Sequence, residues 1–299
     1  MSKNPEAPIY HHPLQNFMAQ KISLYSESGG VGKTTISVNL AAALTRRGYE
    51  VLAIDFTGQP SGLTSYFGKD DLYSNGAEEN LYAGLMNEKT QLKSTIVHGS
   101  EFDFIPTNFM LSALGREENH QDRIFYLDRK LNKLLEDDEI SYDFVLIDTP
   151  ASFGYLADNA IIASDKILTP LEFSSRSTST MQSVTESLDI LQSIFKENNK
   201  QSRFRNLGII PSMVRPHTKI FQQTLEELES HGYTFAPVSI KKLEIFKQAW
   251  AKNMSIFTFA ENVNRTLNKN EQAMLDECYE LADFVADDWT PDELFYAHI

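Results

Sequence analysis

Ser26-Glu-Ser-Gly-Gly-Val-Gly-Lys-Thr-Thr35 is the stretch of sequence that decides the fold of this chain. It follows the short apolar segment 22–25 and precedes a helical pattern over residues 36–44. A strand, a glycine-rich turn, a lysine followed by a hydroxyl, and a helix form the context that a phosphate-binding loop requires. Glycines let backbone N–H groups approach phosphate oxygens, and the positive end of the helix dipole favours the same anion. The stretch therefore predicts an α/β protein that binds a nucleoside triphosphate.

The residues of this loop have separate predicted roles. Lys33 supplies a mobile cation for the β- and γ-phosphates and is a candidate catalytic residue, and the Thr34 hydroxyl is a candidate Mg²⁺ ligand. The alternative, a glycine-rich turn that binds nothing, is disfavoured by the flanking strand and helix. The predicted nucleotide-binding residues of the loop are Ser28, Gly29, Gly30, Val31, Gly32, Lys33, Thr34 and Thr35.

The composition indicates an ample core and no disulfide framework. The chain has 299 residues and a formal net charge of −14, which disfavours uniform attraction to nucleic acid. Cys278 is the one cysteine, so neither an internal disulfide nor a cluster held by several thiolates is expected. The N-terminus lacks a secretion signal, and no apolar run approaches about 18 residues. We therefore expect a cytoplasmic protein.

Strand-like and helical patterns alternate along the chain, which predicts a doubly wound, mostly parallel sheet with helices on both faces. Residues 1–18 are expected to form a flexible N-terminal tail, and residues 19–299 a single domain. Residues 70–79 are polar and are expected to form a surface insertion. The predicted later strands are 49–55, 102–106, 144–148, 166–170 and 206–211, and the predicted later helices are 80–87, 124–135, 178–197, 218–230, 242–251 and 270–286.

A second motif ends a buried strand with an acid. Residues 142–150 read Tyr-Asp-Phe-Val-Leu-Ile-Asp-Thr-Pro, and the apolar run before Asp148 is typical of a buried parallel strand. Phosphate-binding-loop enzymes need a carboxylate at the end of a neighbouring strand to hold Mg²⁺ directly or through water. Asp148 is therefore a predicted metal residue, the alternative being an acid that only caps a strand.

With both motifs in place, the chain resembles the ParA/MinD family of deviant Walker ATPases, and its ParA branch most. The resemblance implies ATP and Mg²⁺ as cofactors, a homodimer that forms on ATP binding, nonspecific DNA binding by that dimer, and hydrolysis stimulated by a ParB-like or other adaptor. Such cycles position plasmids, chromosomes or other large cargo. The resemblance spans about residues 20–287 and rests on segments 29–35, 51–59, 104–108, 142–150 and 256–259.

The chain departs from this family just before the Gly-Gly pair. The family usually has a lysine there that reaches the partner's nucleotide across the dimer, whereas this chain has Ser28. Serine is uncharged and too short for that contact, and McdA-like members of the family resemble this chain in having it. Arg176 follows a predicted strand end, where open α/β sheets place their ligand crevice, so it is a candidate catalytic cation. The alternative is a surface arginine paired with Glu172.

A second departure follows the strand 49–55. The family reads Asp-x-Asp-Pro-Gln, whereas this chain reads Asp-Phe-Thr-Gly-Gln over residues 55–59. Asp55 is retained and is predicted to help hold the metal's water shell. Thr57 stands where the family has the acid that orients the attacking water, and it cannot attract a proton as a carboxylate does. We therefore expect slow intrinsic hydrolysis, with Asp55 and Thr57 as candidate catalytic residues.

Contacts to the adenine and to DNA are predicted in the later part of the chain. Pro211, Ser212 and Met213 are predicted to contact adenine, from a turn after a late strand. A basic patch is required for DNA binding, and ordinary solvated charges are the alternative reading of the available lysines and arginines. The DNA-binding candidates are Lys241, Lys242, Lys247, Arg215 and Lys219, together with Arg203 and Arg205.

Three classes of function compete. The first is an ATPase of the ParA type with nonspecific DNA binding and nucleoid association, or with a non-DNA cargo as in McdA-like members. The second is a nucleotide-gated binding scaffold that hardly hydrolyses ATP, which Ser28 and Thr57 favour. The third, a metabolic member of the superfamily, lacks cluster cysteines and an identifiable substrate pocket. No membrane anchor is expected, because the acidic C-terminus would be repelled by an anionic bilayer.

Overall fold

A seven-stranded parallel sheet organises the residues that the computed structural model describes, namely 19–74, 80–87, 91–114, 124–197, 204–215 and 217–287. The order of strands is β3-β2-β4-β1-β5-β6-β7, so β1 lies at the centre, between β4 and β5. The predicted fold class is confirmed. The strands are β1 Gln20–Leu24, β2 Val51–Asp55, β3 Asp103–Ile105, β4 Phe144–Asp148, β5 Lys166–Glu172, β6 Arg205–Val214 and β7 Ile240–Lys241.

Helices connect the strands and cover the sheet. The amphipathic pattern predicted around residues 124–135 is realised in α6, where Leu127, Leu131 and Leu134 are buried. Helix α12 begins with a capping box, in which Asn268 accepts from the Glu271 N–H and Glu271 accepts from the Asn268 N–H. The helices are α1 Lys33–Arg46, α2 Leu63–Tyr66, α3 Asp70–Ser74, α4 Leu81–Met86, α5 Leu111–Leu114, α6 Tyr126–Leu135, α7 Tyr155–Ile162, α8 Ser177–Glu197, α9 Lys219–Ser230, α10 Glu244–Trp250, α11 Ile256–Asn262 and α12 Lys269–Ala286.

The strands are apolar on both sides because each face of the sheet packs against helices. In β2, Leu52 and Ile54 belong to one core with α6, α7 and α8, whereas Val51 and Ala53 belong to a second core with α1 and α12. Successive side chains of a strand point to opposite faces, so a run buried at every position requires two covered faces. The two cores therefore account for the uninterrupted apolar runs in the sequence.

One local expectation is covered only in part by the described residues, and another differs from the structure. Within the segment 70–79, residues Asp70–Ser74 form α3, while residues 75–79 lie outside the described part of the chain. Pro211, Ser212 and Met213 lie inside β6 and not in a turn, because β6 continues to Val214 and pairs there with β7. The expected tail 1–18 and residues 288–299 lie outside the described residues, so the predicted domain limits stay a prediction.

Candidate nucleotide-binding site

The glycine-rich loop connects the central strand β1 to α1, at the carboxyl edge of the sheet. Gly30 and Gly32 have φ values of 75° and 87°, in the left-handed region that favours glycine. Gly32 also stands at the N-cap of α1, so the first backbone N–H groups of the helix face the loop. The loop therefore has the backbone shape and the dipole orientation of an anion site.

Lys33 is held at the base of this loop by backbone oxygens. Its Nζ donates to the carbonyl oxygens of Ser26 and Ser28, at 2.9 and 3.1 Å. Burial lowers the pKa of Lys33 to about 8, although the Asp148 carboxylate opposes that shift. The lysine is thus a buried cation whose present partners are neutral dipoles, and a phosphate would be a stronger partner.

Thr34 and Asp148 meet as the sequence predicts. The Thr34 hydroxyl donates to Asp148 Oδ2 at 2.6 Å, and the Ser37 hydroxyl lies 3.5 Å from Asp148 Oδ1. Asp55 is aligned with Asp148 in the β2–β4 register. Burial and the nearby Asp55 carboxylate raise the pKa of Asp148 to about 7. Hydroxyl and carboxylate oxygens beside a phosphate loop suit Mg²⁺, which prefers oxygen ligands.

Asp55 is enclosed by the segment that follows it. Its Oδ1 accepts from the Thr57 N–H at 3.2 Å and from the Thr57 hydroxyl at 2.6 Å. Its Oδ2 accepts from the Thr64 N–H at 2.8 Å and from the Thr64 hydroxyl at 2.7 Å. Burial raises the pKa of Asp55, and these hydrogen bonds oppose the shift. Thr57 therefore faces Asp55 in this structure.

Ser28 and Arg176 lie at the same carboxyl edge of the sheet. Arg176 is exposed and stands between the end of β5 and the start of α8. Its backbone N–H donates to the Ser174 hydroxyl at 3.2 Å. Within the described residues no salt bridge joins Arg176 to Glu172, so the alternative of a surface pair is not realised here.

A pocket of about 270 Å³ adjoins the loop on the β6–β7 side. Ser212 donates its hydroxyl to the Val31 carbonyl at 2.6 Å, which ties β6 to the loop. Met213 lies close to Gly32, while Pro211 does not line the pocket. The lining residues are Gly32, Thr35, Ile36, Ser212, Met213, Ile240, Lys241, Lys242, Leu243, Phe246, Lys247, Trp250 and Ala251.

The DNA-binding candidates divide between two edges of the sheet. Lys241, Lys242 and Lys247 line this pocket, and Arg215 follows directly after β6, whose end pairs with β7. Lys219 begins α9 on the same side. Arg205 stands at the opposite end of β6, about 30 Å away at 3.3 Å per residue. Arg203 lies outside the described residues.

Two features of the site were not predicted. Thr64 and Gly62 complete the enclosure of Asp55, and their only signal in the sequence is a hydroxyl and a glycine shortly after a strand-end acid. Trp250 of the pocket packs on Tyr66 of α2, with ring centroids 4.6 Å apart. That contact joins positions far apart in the chain, so no local pattern indicates it.

Comparisons with known proteins identify relatives of this chain. A family model described as an AAA domain matches residues 19–204. The uncharacterized protein MJECL24 of Methanocaldococcus jannaschii is 32% identical over 214 residues, which are 70% of this chain and 78% of that protein. The sporulation initiation inhibitor protein Soj of Bacillus subtilis is 29% identical over 217 residues, 72% of this chain and 80% of Soj.

The solved structures support the same fold. The structure of a Cyanothece McdA variant in complex with ATP matches with a TM-score of 0.71 at 18% identity, over 92% of this chain and 99% of that chain. Among the described helices, none has the length and apolar character needed to cross a membrane.

Proposed function

This chain belongs to the ParA/MinD family of P-loop ATPases, and we propose that it is a positioning ATPase of the ParA type. In this proposal it binds ATP with Mg²⁺, forms a homodimer on ATP binding, and hydrolyses ATP slowly. An adaptor protein stimulates the hydrolysis, and the cycle moves DNA or another large cargo within the cytoplasm.

One observation carries the proposal: Lys33 and the Thr34–Asp148 pair stand together at the mouth of the glycine-rich loop. Lys33 leaves the Ser26 and Ser28 carbonyls and pairs with the β- and γ-phosphates, which is favourable because charged partners strengthen a hydrogen bond. Thr34 and Asp148 would hold Mg²⁺, and Asp55 would contact its water shell. When bound, the ion neutralises charge that develops on the phosphate oxygens.

We assign the pocket beside the loop to the adenine base. Phe246 and Trp250 supply flat apolar surface, and Ser212 and Met213 lie where the loop meets β6. A pocket of this kind, mostly apolar with a few polar groups, suits a purine. Arg176 is the proposed cation that faces the partner's nucleotide across the dimer, in place of the lysine that Ser28 replaces.

The cluster of Arg215, Lys219, Lys241, Lys242 and Lys247 supports DNA as the surface on which the dimer moves. These cations share one edge of the sheet, and such a cluster attracts phosphates even in a chain with a negative net charge. A second candidate function is a nucleotide-gated scaffold with little turnover. Two features favour this scaffold: Asp55 is enclosed by two threonines, and position 57 lacks a carboxylate to orient the attacking water.

Three measurements on the full chain test the proposal: ATP turnover, the oligomeric state with ATP and Mg²⁺, and binding to a DNA fragment of random sequence. We expect slow turnover, a dimer only with ATP, and DNA binding by that dimer that weakens with salt. Lys33→Ala should weaken ATP binding by at least about tenfold, the effect of one lost bond to a charged group. Lys93→Ala, at a surface lysine paired with Asp137, is the matched control.

Each alternative has its own result. A dimer without measurable ATP turnover supports the scaffold. A dimer that hydrolyses ATP but does not bind DNA supports a non-DNA cargo. Failure to bind ATP, or equal binding by the wild type and Lys33→Ala, refutes the proposed function. Arg176→Ala should slow turnover by the dimer without weakening ATP binding by the monomer; unchanged turnover refutes the role of Arg176.

A further inference from the structure

The carboxylate of Asp55 has no free lone pair in this structure. A carboxylate offers about four acceptor sites, two on each oxygen. Thr57 fills two of them and Thr64 fills the other two, with donor–acceptor distances between 2.6 and 3.2 Å. Asp55 is also fully buried. A water of a metal's shell therefore has no acceptor position on Asp55 while both threonines remain in place.

The segment from Thr57 to Thr64 is shaped around this carboxylate. A Cβ at Gly62 would lie 2.6 Å from both Asp55 oxygens and 2.7 Å from the Thr57 hydroxyl oxygen, so the chain passes as close as a glycine allows. Thr64 is itself fixed from the other side, because its hydroxyl accepts from the Thr107 N–H at 2.8 Å. The Thr57 hydroxyl also accepts from a backbone N–H, that of Gln59, but this bond is longer, at 3.2 Å, and lies within the segment itself.

The chemistry of position 57 decides whether this arrangement can form. A hydroxyl donates a hydrogen bond to Asp55 Oδ1, whereas a carboxylate cannot donate when ionised. Two carboxylates at 2.6 Å would repel each other strongly inside a buried site. Thr57 is therefore more than a missing acid, because its hydroxyl makes the enclosure of Asp55 possible.

We propose that Thr57 is a positioning residue that acts as a latch and holds Asp55 away from the metal. Asp55 can reach the water shell of Mg²⁺ only after the hydrogen bond from the Thr57 hydroxyl to Asp55 breaks. The inference rests on the proposed function and assigns slow hydrolysis to a closed latch as well as to the absent acid. Asp148 and Thr34 hold the ion in both states, and release of the latch is a separate step.

The fluorescence of Trp250 can report this step. Helix α2 carries Thr64 at one position and Tyr66 two residues later. Tyr66 packs on Trp250, with ring centroids 4.6 Å apart, and donates its hydroxyl to the Met254 carbonyl at 3.1 Å. Movement of the segment 57–64 therefore alters the surroundings of Trp250. The chain has two tryptophans, so in a Trp289→Phe background Trp250 is the only one.

The test is a Mg²⁺ titration of Trp250 fluorescence at saturating ADP, in the Trp289→Phe background. Saturating ADP holds the base pocket filled throughout, so the signal reports the metal-dependent step. Thr57→Val removes the hydroxyl and keeps the shape of the side chain, and Thr57→Ser restores the hydroxyl. Thr95→Val removes another buried hydroxyl, one that donates to Leu92 O far from the site, and serves as the control.

We expect Thr57→Val to lower the Mg²⁺ concentration at half-change by about 10- to 100-fold, the equilibrium factor for one hydrogen bond to a charged group. Thr57→Ser should return the midpoint to that of the parent, and Thr95→Val should leave it unchanged. Turnover by Thr57→Val should rise as well, although position 57 still lacks an acid. A residue that merely stabilises the fold would change the melting temperature and not this midpoint.

Equal midpoints for Thr57→Val and the parent overturn the latch, as does a parent protein whose Trp250 signal ignores Mg²⁺. If Thr57→Val does not fold, amide exchange on the wild type decides. The Thr57 and Thr64 N–H groups both donate to Asp55, so the segment should exchange faster with Mg²⁺ and ADP than with ADP alone. ADP binding without either response refutes the latch only, whereas absence of nucleotide binding refutes the proposed function.

Discussion

Gly62 offers a direct test of how tightly the chain encloses Asp55. Alanine there has no backbone problem, because the φ of Gly62 is −87°. Its Cβ, however, would lie 2.6 Å from Asp55 Oδ1 and Oδ2 and 2.7 Å from Thr57 Oγ1. Ordinary carbon–oxygen contacts are about 3.3 Å or longer, so three atoms overlap by roughly 0.6–0.7 Å. Asp55 cannot yield easily, since four hydrogen bonds fix it.

The expected loss of stability follows from these distances. Overpacking a buried site typically costs about 1–3 kcal/mol, and the rigid surroundings favour the upper half of that range. Replacing glycine by alanine returns about 0.4–1 kcal/mol by restricting the unfolded chain. We therefore expect Gly62→Ala to lower the free energy of unfolding by about 2 kcal/mol, and the melting temperature by roughly 4–8 °C for a domain of this size.

The assay is denaturant and thermal unfolding of Gly62→Ala beside a matched glycine substitution. Gly84 lies inside α4, and a Cβ there would meet the movable Leu92 Cδ1 at 3.2 Å. Alanine is preferred in helices by up to about 1 kcal/mol, so Gly84→Ala should leave stability unchanged or raise it. A Gly62→Ala protein as stable as the wild type would show that the segment 57–64 does not enclose Asp55 as described.

Three further predictions concern other parts of the molecule. Burial raises the pKa of the Cys278 thiol to about 12, so the native protein should resist a thiol reagent at pH 8 while the unfolded chain reacts completely; rapid native labelling would contradict the burial. Asn268→Ala should lower the free energy of unfolding by about 1 kcal/mol, because the cap of α12 loses its bonds to the Asn270 and Glu271 N–H groups; an unchanged denaturation midpoint would argue against the cap. Lys33 has its pKa lowered to about 8, so binding of ADP in the presence of EDTA should weaken as the pH rises from 7.5 to 9. The sign follows because the protonated ammonium attracts phosphate, and flat titrations across that range would refute it.

The phosphate-binding and metal-binding residues of the site could be predicted from the sequence because they lie in short contiguous segments. The glycine-rich loop, Lys33 and Thr34 form one segment, and a fully apolar run leads to Asp148. The sequence predicts Thr34 and Asp148 separately as metal residues, and the structure brings their side chains into contact. The two covered faces of the sheet follow in the same way from uninterrupted apolar strands.

The remaining features depend on packing between distant segments. Strand β7 has only two residues, and it pairs with an extension of β6 that no periodicity announces. Because of that extension, Ser212 and Met213 lie in a strand and not in the predicted turn. The hydrogen bonds of Thr57 and Thr64 depend on the path of the chain after β2, because each hydroxyl group could bond either to solvent or to Asp55. The sequence identifies Thr57 as the residue that stands where the family has an acid, whereas its hydrogen bonds to Asp55 are seen only in the structure.

The position of β1 has a consequence for how the protein is made. β1 and α1 are synthesised before the other described elements, but β1 lies between β4 and β5, and α1 is covered by α12. Arg47, directly after α1, also pairs with Asp283 of α12. About 240 residues separate the end of α1 from the end of α12, and translation at about 5–20 residues per second delivers them in roughly 10–50 s. For that time the apolar face of α1 lacks the helix that covers it in the folded chain, so the central part of the sheet is completed only late in synthesis.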